Sequence, residues 1–335
     1  MKYKVLQQLK EASPGFVSGG GLGHLLGVSR TAVWKHIKAL RREGYSIEGS
    51  PRKGYRLLST GERLNSFEIA HELGTLVIGR ETRYIDKVDS TNEYAKKLAA
   101  EGCPDGLTIV AGQQTEGKGR LGRKWLSPAD SGIYISSVLR PPMAPAEAQI
   151  LALAAAVAVA EAICLATGMR VGIKWPNDLV IDGKKVCGIL MEMNSEPDRM
   201  NYVVIGIGIN YSQDAGEFTE ELKDKAISLK MAIDGQKKDG VVFPSKLALI
   251  RAVLKELDKT LKLVLDGSYE AILDKWREYS VTLGRQVRFA IRGAEYSGTA
   301  SGITADGRLL VDCDDGVRRE LLSGEVSVRG IYGYV

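Results

Sequence analysis

The chain is 335 residues long, too long for one ordinary hydrophobic core, so two or three domains are expected. Apolar residues make up 44% and charged ones 26%, which excludes a disordered, fibrous or low-complexity protein. The net charge of +5 is unevenly spread: residues 1–60 hold eleven lysines and arginines against three acids, +8 in all, while the remainder carries −3, so one small module faces a polyanion.

Residues 2–12 predict a helix with Val5, Leu6 and Leu9 inward, ended by Ser13-Pro14-Gly15. Ser18 caps a second, short helix whose apolar face is Leu22, Leu25 and Leu26. Gly27-Val28-Ser29 then has the length of the turn in a helix-turn-helix. Ser29 caps a third helix over residues 30–42. Its core side is Val33, Ile37 and Leu40, which leaves Arg30, Thr31, Trp34, Lys35, Lys38 and Arg41 on other faces, as in a recognition helix. Alternating Tyr45 and Ile47, a basic turn at residues 49–54, and Tyr55 and Leu57 predict a β-hairpin wing with Arg52 and Lys53 at its tip. A solvated basic face on a small protein-interaction domain is the plainer reading. The coincidence of helix-turn-helix, basic wing and local charge favours duplex DNA.

From about residue 63 to 283 strand-like runs (83–88, 107–112, 133–139, 172–175, 186–193 and 202–207) alternate with helical ones, which describes an α/β or α+β domain of enzyme size. The alanine-rich stretch 150–167 carries Glu161 and lies between turn residues, so a buried helix is expected rather than a membrane span. Cys103, Cys164, Cys187 and Cys313 lack paired metal-ligand spacing, and no charged-then-apolar leader opens the chain. A reducing, cytoplasmic setting is expected, with no membrane partner and no protein-held metal.

Four segments of this domain stand out. Asp89-Ser90-Thr91-Asn92-Glu93 reads either as a capping box, with Glu93 reaching back, or as short hydroxyl and amide groups able to bond a small polar ring. Residues 113–125 run from Gln113-Gln114 through Gly117-Lys118-Gly119-Arg120-Leu121-Gly122 to Arg123-Lys124-Trp125. The glycines spell GxGxxG, but no helix pattern follows and no GK[ST] ending is present, so neither a dinucleotide fold nor a P-loop is expected. A solvated basic loop is one reading. A loop that folds over an anion is the other, with Trp125 as anchor or stacking surface.

In Lys174-Trp175-Pro176-Asn177-Asp178, Pro176 ends a strand and exposes Asn177 and Asp178 at its tip, and Lys185 approaches them across an Asp182-Gly183 hairpin. Gly206-Ile207-Gly208-Ile209-Asn210 closes an apolar strand where glycine permits a ligand to approach backbone. After helical patterns at 243–265 and 269–279, short alternating runs at 287–291, 309–311 and 326–328, with turns at Arg292-Gly293, Asp306-Gly307 and Asp315-Gly316, predict a small β-barrel.

This order of motifs, from Ser90-Thr91-Asn92 through the basic loop and Lys174-Trp175-Pro176-Asn177-Asp178 to Lys185-Val186-Cys187-Gly188-Ile189 and Gly206-Ile207-Gly208-Ile209-Asn210, resembles the biotin–protein ligases. With the N-terminal helix-turn-helix it resembles the bacterial ligases that double as repressor of the biotin operon. The resemblance implies a winged helix-turn-helix over residues 1–62, a class II synthetase-like α/β catalytic domain over 63–282 and an SH3-like β-barrel over 283–335.

It implies that biotin attacks the α-phosphorus of MgATP, and that the resulting biotinyl-5′-adenylate passes biotin to a lysine of the biotin carboxyl carrier protein of acetyl-CoA carboxylase. Lys185 and Arg120 would stabilise charge, and Asp178 would orient or deprotonate the incoming lysine. By the same resemblance Ser90, Thr91 and Gln114 bond the ureido ring, with Asn92 in the same cluster. Gly117, Lys118 and Gly119 close over the biotin tail, and Gly188 lines that pocket. Trp125 packs on adenine, and Asn177 and Asn210 meet the adenylate or its Mg²⁺. Arg30, Thr31, Trp34, Lys35, Lys38, Arg52 and Lys53 would meet double-stranded operator DNA, with retained adenylate promoting a homodimer.

One departure is that the family's loop reads Gly-Arg-Gly-Arg where this chain has Gly117-Lys118-Gly119-Arg120, which keeps charge but loses a planar fork. The rival readings are a lipoate or octanoate ligase, whose loop differs and which lacks the Lys-Trp-Pro-Asn-Asp run, and a ligand-sensing repressor without turnover.

Overall fold

The computed structural model describes residues 1–61, 63–236 and 240–323, together with the backbone of 329–330. It forms two compact units, Met1–Phe67 and Glu68–Val335.

In the first unit α1 (Lys2–Glu11), α2 (Gly19–Leu26) and α3 (Arg30–Arg42) precede an antiparallel hairpin of β1 (Ser46–Ser50) and β2 (Gly54–Ser59). The expected caps form: Ser18 Oγ accepts from the Gly21 amide at 2.9 Å and Ser29 Oγ from the Ala32 amide at 3.1 Å, contacts worth about 1 kcal/mol each. Val5, Leu6, Leu9, Leu22, Val33, Ile37 and Leu40 share one core with Tyr45, Ile47 and Leu57 of the hairpin. Leu25 corrects the expectation, being 61% exposed. Instead Gly23 faces inward: a Cβ there would lie 2.7 Å from the Val28 carbonyl, so α2 packs through bare backbone where periodicity asked for a leucine. Arg41 donates to the Ile47 carbonyl at 2.9 Å and fastens α3 to the wing.

The second unit begins within the one-turn α4 (Ser66–Ala70) and is built on a seven-stranded sheet. Its strands are β3 (Thr82–Val88), β4 (Thr108–Gln114), β5 (Gly132–Leu139), β6 (Gly172–Lys174), β7 (Asp178–Ile181), β8 (Lys184–Ser195) and β9 (Met200–Asn210), in the order β3-β4-β5-β9-β8-β7-β6. Only β3 and β4 run parallel. The helices are α5 (Thr91–Ala100), α6 (Ala148–Thr167), α7 (Leu229–Gly235), α8 (Lys246–Leu265) and α9 (Tyr269–Tyr279). By length and composition α6 is apolar enough to cross a membrane, yet it is buried along nearly its whole length and packs on α8, α9 and the β6–β8 edge of the sheet.

Beyond α9 lie β10 (Gln286–Ile291), β11 (Ala294–Ile303), β12 (Leu309–Cys313), β13 (Arg318–Leu321) and β14 (Arg329–Gly330). They form an antiparallel sheet ordered β13-β12-β11-β10-β14. The three expected turns connect β10 to β11, β11 to β12 and β12 to β13, with positive φ at Gly293, Gly307 and Gly316. The run expected at 326–328 lies outside the described residues.

Candidate active site

A register row crosses one end of the large sheet. Lys174 of β6 faces Asp178 of β7, Asp178 faces Gly188 of β8, and Gly188 faces Gly208 of β9. Directly opposed residues project to the same face, so a cation and an anion stand beside a pair of glycines. The glycines leave a flat floor, and the Trp125 indole occupies it. A Cβ on Gly208 would lie 2.5 Å from that ring, and one on Gly188 would lie 2.9 Å away.

Lys185 reaches the same face through an irregularity. Leu179 pairs with Cys187, but Val180 pairs with Lys185, so Val186 is skipped as a β-bulge. In unbroken register Lys185 would point to the far side. As built, its ammonium lies 2.5 Å from Asp178 Oδ1 and 5.2 Å from the Trp125 ring centre, both partners being mostly shielded from water. Its backbone is fixed from the other side. The Lys185 amide donates to the Lys225 carbonyl at 2.7 Å, and the Lys185 carbonyl accepts from Ile227 at 2.9 Å and from the Asn210 side chain at 3.2 Å. Asn177 and Asp178 differ from expectation: they are half-buried, Asp178 opening β7 and Asn177 just before it, rather than exposed at a tip, because Asn177 Nδ2 donates to the Ile189 carbonyl at 2.6 Å and draws the turn inward.

The basic loop folds as a small hairpin. Lys118 bridges Lys124, the Gly119 amide donates to the Arg123 carbonyl at 2.7 Å, and the Trp125 amide donates to the Gly117 carbonyl at 2.8 Å. Arg120 points back into the cleft, donating to Asn177 Oδ1 at 3.0 Å and to the Ser323 carbonyl from beyond β13. Burial lowers the pKa of this guanidinium, and the Asp178 charge opposes that effect. Arg123 and Lys124 stay exposed.

At the start of α5 Ser90 caps Glu93 loosely, at 3.5 Å, while the Thr91 amide and hydroxyl both donate to Gln114 Oε1, at 2.8 and 2.9 Å. Gln114 Nε2 donates to Ser127 at 2.8 Å. Asn92 is buried: it donates to Glu192 at 2.8 Å and accepts from Ser136 at 2.6 Å. Glu93 accepts from Lys118 at 2.5 Å and from Lys96 at 2.8 Å, the two ammoniums that draw its side chain out to the loop.

Lys118, then Lys96, holds the Glu93 carboxylate below its usual range. A lowered folded pKa means the anchor is present above the ordinary glutamate range and is lost as pH falls through the lowered value. Protection of the amides across residues 117–123, taken against their intrinsic exchange rates, is therefore expected to fall on acidification, and to be low at every pH in Glu93→Gln.

Every ligand-site residue expected from the sequence lines a single cleft of about 1050 Å³, except Gly117. A Cβ on Gly117 would lie 2.4 Å from the Trp125 carbonyl, so it forms the base of the loop. The same cleft takes in residues the sequence reading passed over: Lys174, Gln213, Phe218, Leu222 and, from β10, Arg288. Lys174 was legible as the first letter of its motif, whereas Arg288 carries no local signal. In the first unit Arg30, Thr31, Trp34, Lys35 and Lys38 are exposed along α3, and Arg52 and Lys53 at the hairpin turn. Lys38 sits 5.2 Å from the Trp34 ring.

Three family descriptions match the chain: the HTH domain over residues 2–56, the biotin/lipoate A/B protein ligase family over 84–210 and the biotin protein ligase C terminal domain over 282–329. The chain is 39% identical over 319 residues to the bifunctional ligase/repressor BirA of Bacillus spizizenii, covering 95% of this chain and 96% of that one. It is 32% identical to the protein of the same name from Escherichia coli, covering 94% and 93%. Among solved structures it is similar to the biotin protein ligase from Aquifex aeolicus in complex with biotin and ATP, with a TM-score of 0.61 and 33% identity, covering 74% of this chain and 98% of that one.

Proposed function

The chain belongs to the biotin protein ligase family, and from that premise we propose that it activates biotin with ATP, transfers it to a lysine of a biotin carboxyl carrier protein, and represses transcription as a DNA-binding protein. The observation that carries the chemistry is the Lys185 ammonium, brought by a β-bulge onto the glycine-floored face where the Arg120 loop closes. Two anions, a carboxylate and a triphosphate, must meet there, and two fixed cations lower the cost of that encounter before any bond forms. Ser90, Thr91, Asn92 and Gln114 form the polar end of the cleft suited to a ureido ring, with the loop from Gly117 to Gly119 and Gly188 along the tail. Trp125 is the surface for adenine, and Asn177 and Asn210 flank the adenylate.

Mg²⁺ enters as part of the nucleotide substrate. Bound with the nucleotide, Mg²⁺ keeps phosphate and water ligands rather than a cage of protein carboxylates. The lipoate reading is disfavoured by the relatives, which are bifunctional ligase/repressors over 94–95% of the chain and a biotin–[acetyl-CoA-carboxylase] ligase over 70% of it. Pyrophosphate release that requires both biotin and ATP tests activation, and release that ignores biotin would remove the reading.

The repressor role uses the exposed face of α3 and the wing. Neutralising Arg52 and Lys53 together is expected to weaken operator binding and to lower the slope of log affinity against log salt by about 2, since each lost phosphate contact removes roughly 0.9. An unchanged slope takes the wing out of the interface. We further read the chain as three domains, 1–62, 63–282 and 283–335, working in a reducing cytoplasm without a membrane partner. Retained adenylate favours a two-fold dimer on a two-half-site operator. Sedimentation with and without biotin plus ATP checks the last point, and an unchanged mass contradicts it.

A further inference from the structure

The ligase reading leaves open how one cleft keeps its two half-reactions in order, and the Lys185–Asp178 contact answers it. The ammonium that must receive an anion is already held by one: Nζ lies 2.5 Å from Asp178 Oδ1, with side-chain exposures of 23% and 16%. Both residues are fixed by backbone rather than by reach, Asp178 in register with Gly188 and Lys185 at the bulge pinned to Lys225 and Ile227. An incoming carboxylate or phosphate beside the Trp125 ring therefore competes with Asp178 for the same ammonium.

Resting on the ligase reading, we propose that Lys185 and Asp178 form a partner-exchange switch. In the ligand-free cleft Asp178 neutralises Lys185. The substrate carboxylate draws Lys185 away, the phosphate of the acyl-adenylate then holds it, and Asp178 is released as the base for the acceptor amine. Arg120, whose guanidinium senses the Asp178 charge, and Lys174, opposite Asp178 in register, flank the released carboxylate. The acceptor ε-ammonium then loses a proton to Asp178, and the freed nitrogen lone pair forms the bond to the acyl carbon. The C–O bond to AMP breaks with its electron pair passing to the phosphate oxygen, and the second nitrogen proton leaves to solvent. Until an anion is bound, the base is occupied, so the acceptor lysine is not activated in an unloaded cleft.

The sign of one measurement separates this switch from a merely structural pair. Asp178→Asn frees Lys185, so calorimetry of the full chain is expected to show biotin bound roughly fivefold or more tightly than in wild type, a shielded ion pair no longer having to be broken. In a Lys185→Gln background the same change is expected to do nothing. From preformed adenylate, transfer to the acceptor is expected to slow by about 10²-fold in Asp178→Asn. Weaker or unchanged biotin binding overturns the exchange. Tightening that persists without Lys185 marks a simple field effect and overturns it too, and normal transfer removes Asp178 as the base. Asp178→Ser serves should the Asn variant melt below wild type. Failure of the ligase reading itself looks different: wild type would then bind no biotin.

Discussion

Lys185→Ala is expected to cut adenylate formation by about 10³-fold while biotin affinity changes by less than about tenfold. The asymmetry follows from position. The polar end of the cleft, at Thr91, Asn92 and Gln114, is held by its own hydrogen bonds and does not involve Lys185. The reacting end depends on a cation over the paired Gly188 and Gly208, and alanine at 185 leaves Asp178 there without the ammonium that balances it. The reacting carboxylate and triphosphate then meet without the cation that offsets their mutual repulsion, so the loss falls on the chemical step. Pyrophosphate exchange measures the first quantity and calorimetry the second. Activity within a few fold of wild type would remove Lys185 from the chemistry.

Arg120→Ala is expected to lower kcat/KM for ATP by about 10²-fold. Its guanidinium spans Asn177 and the Ser323 carbonyl, joining the loop to the start of β7 and to the segment after β13. Truncation therefore loses a cation and unfastens the hairpin that carries it. Arg120→Lys restores charge without the two-pronged geometry and is expected to recover only part of the rate, where full recovery would show that charge alone matters. Ser323 is itself held by Gln149 of α6, which extends this linkage into the core. The segment after β13 thus fastens the loop through a main-chain carbonyl, a group that no side-chain pattern advertises.

The helices of the first unit, the hairpin wing and the chain order of the ligand motifs were legible because each rests on local periodicity, capping or turn chemistry. What was not legible depends on register. Lys185 is near Asp178 in any hairpin closed at Asp182-Gly183, but only the skipped Val186 turns it onto the cleft face, and one residue of slip would reverse it. Asn177 and Asp178 read as exposed after Pro176, whereas a single amide contact to Ile189 pulls them in. Glu93 read as half of a capping box and instead anchors Lys118, twenty-five residues away along the chain. Leu25 failed because a glycine-rich helix packs through backbone, which a count of apolar residues overlooks.

The most direct test is mass spectrometry of a biotin carrier domain incubated with the full-length protein, biotin and MgATP. The geometry predicts a gain of one biotin on the acceptor lysine, absent when ATP is omitted and absent with Lys185→Ala. No gain with biotin, or a gain with lipoate instead, would contradict it.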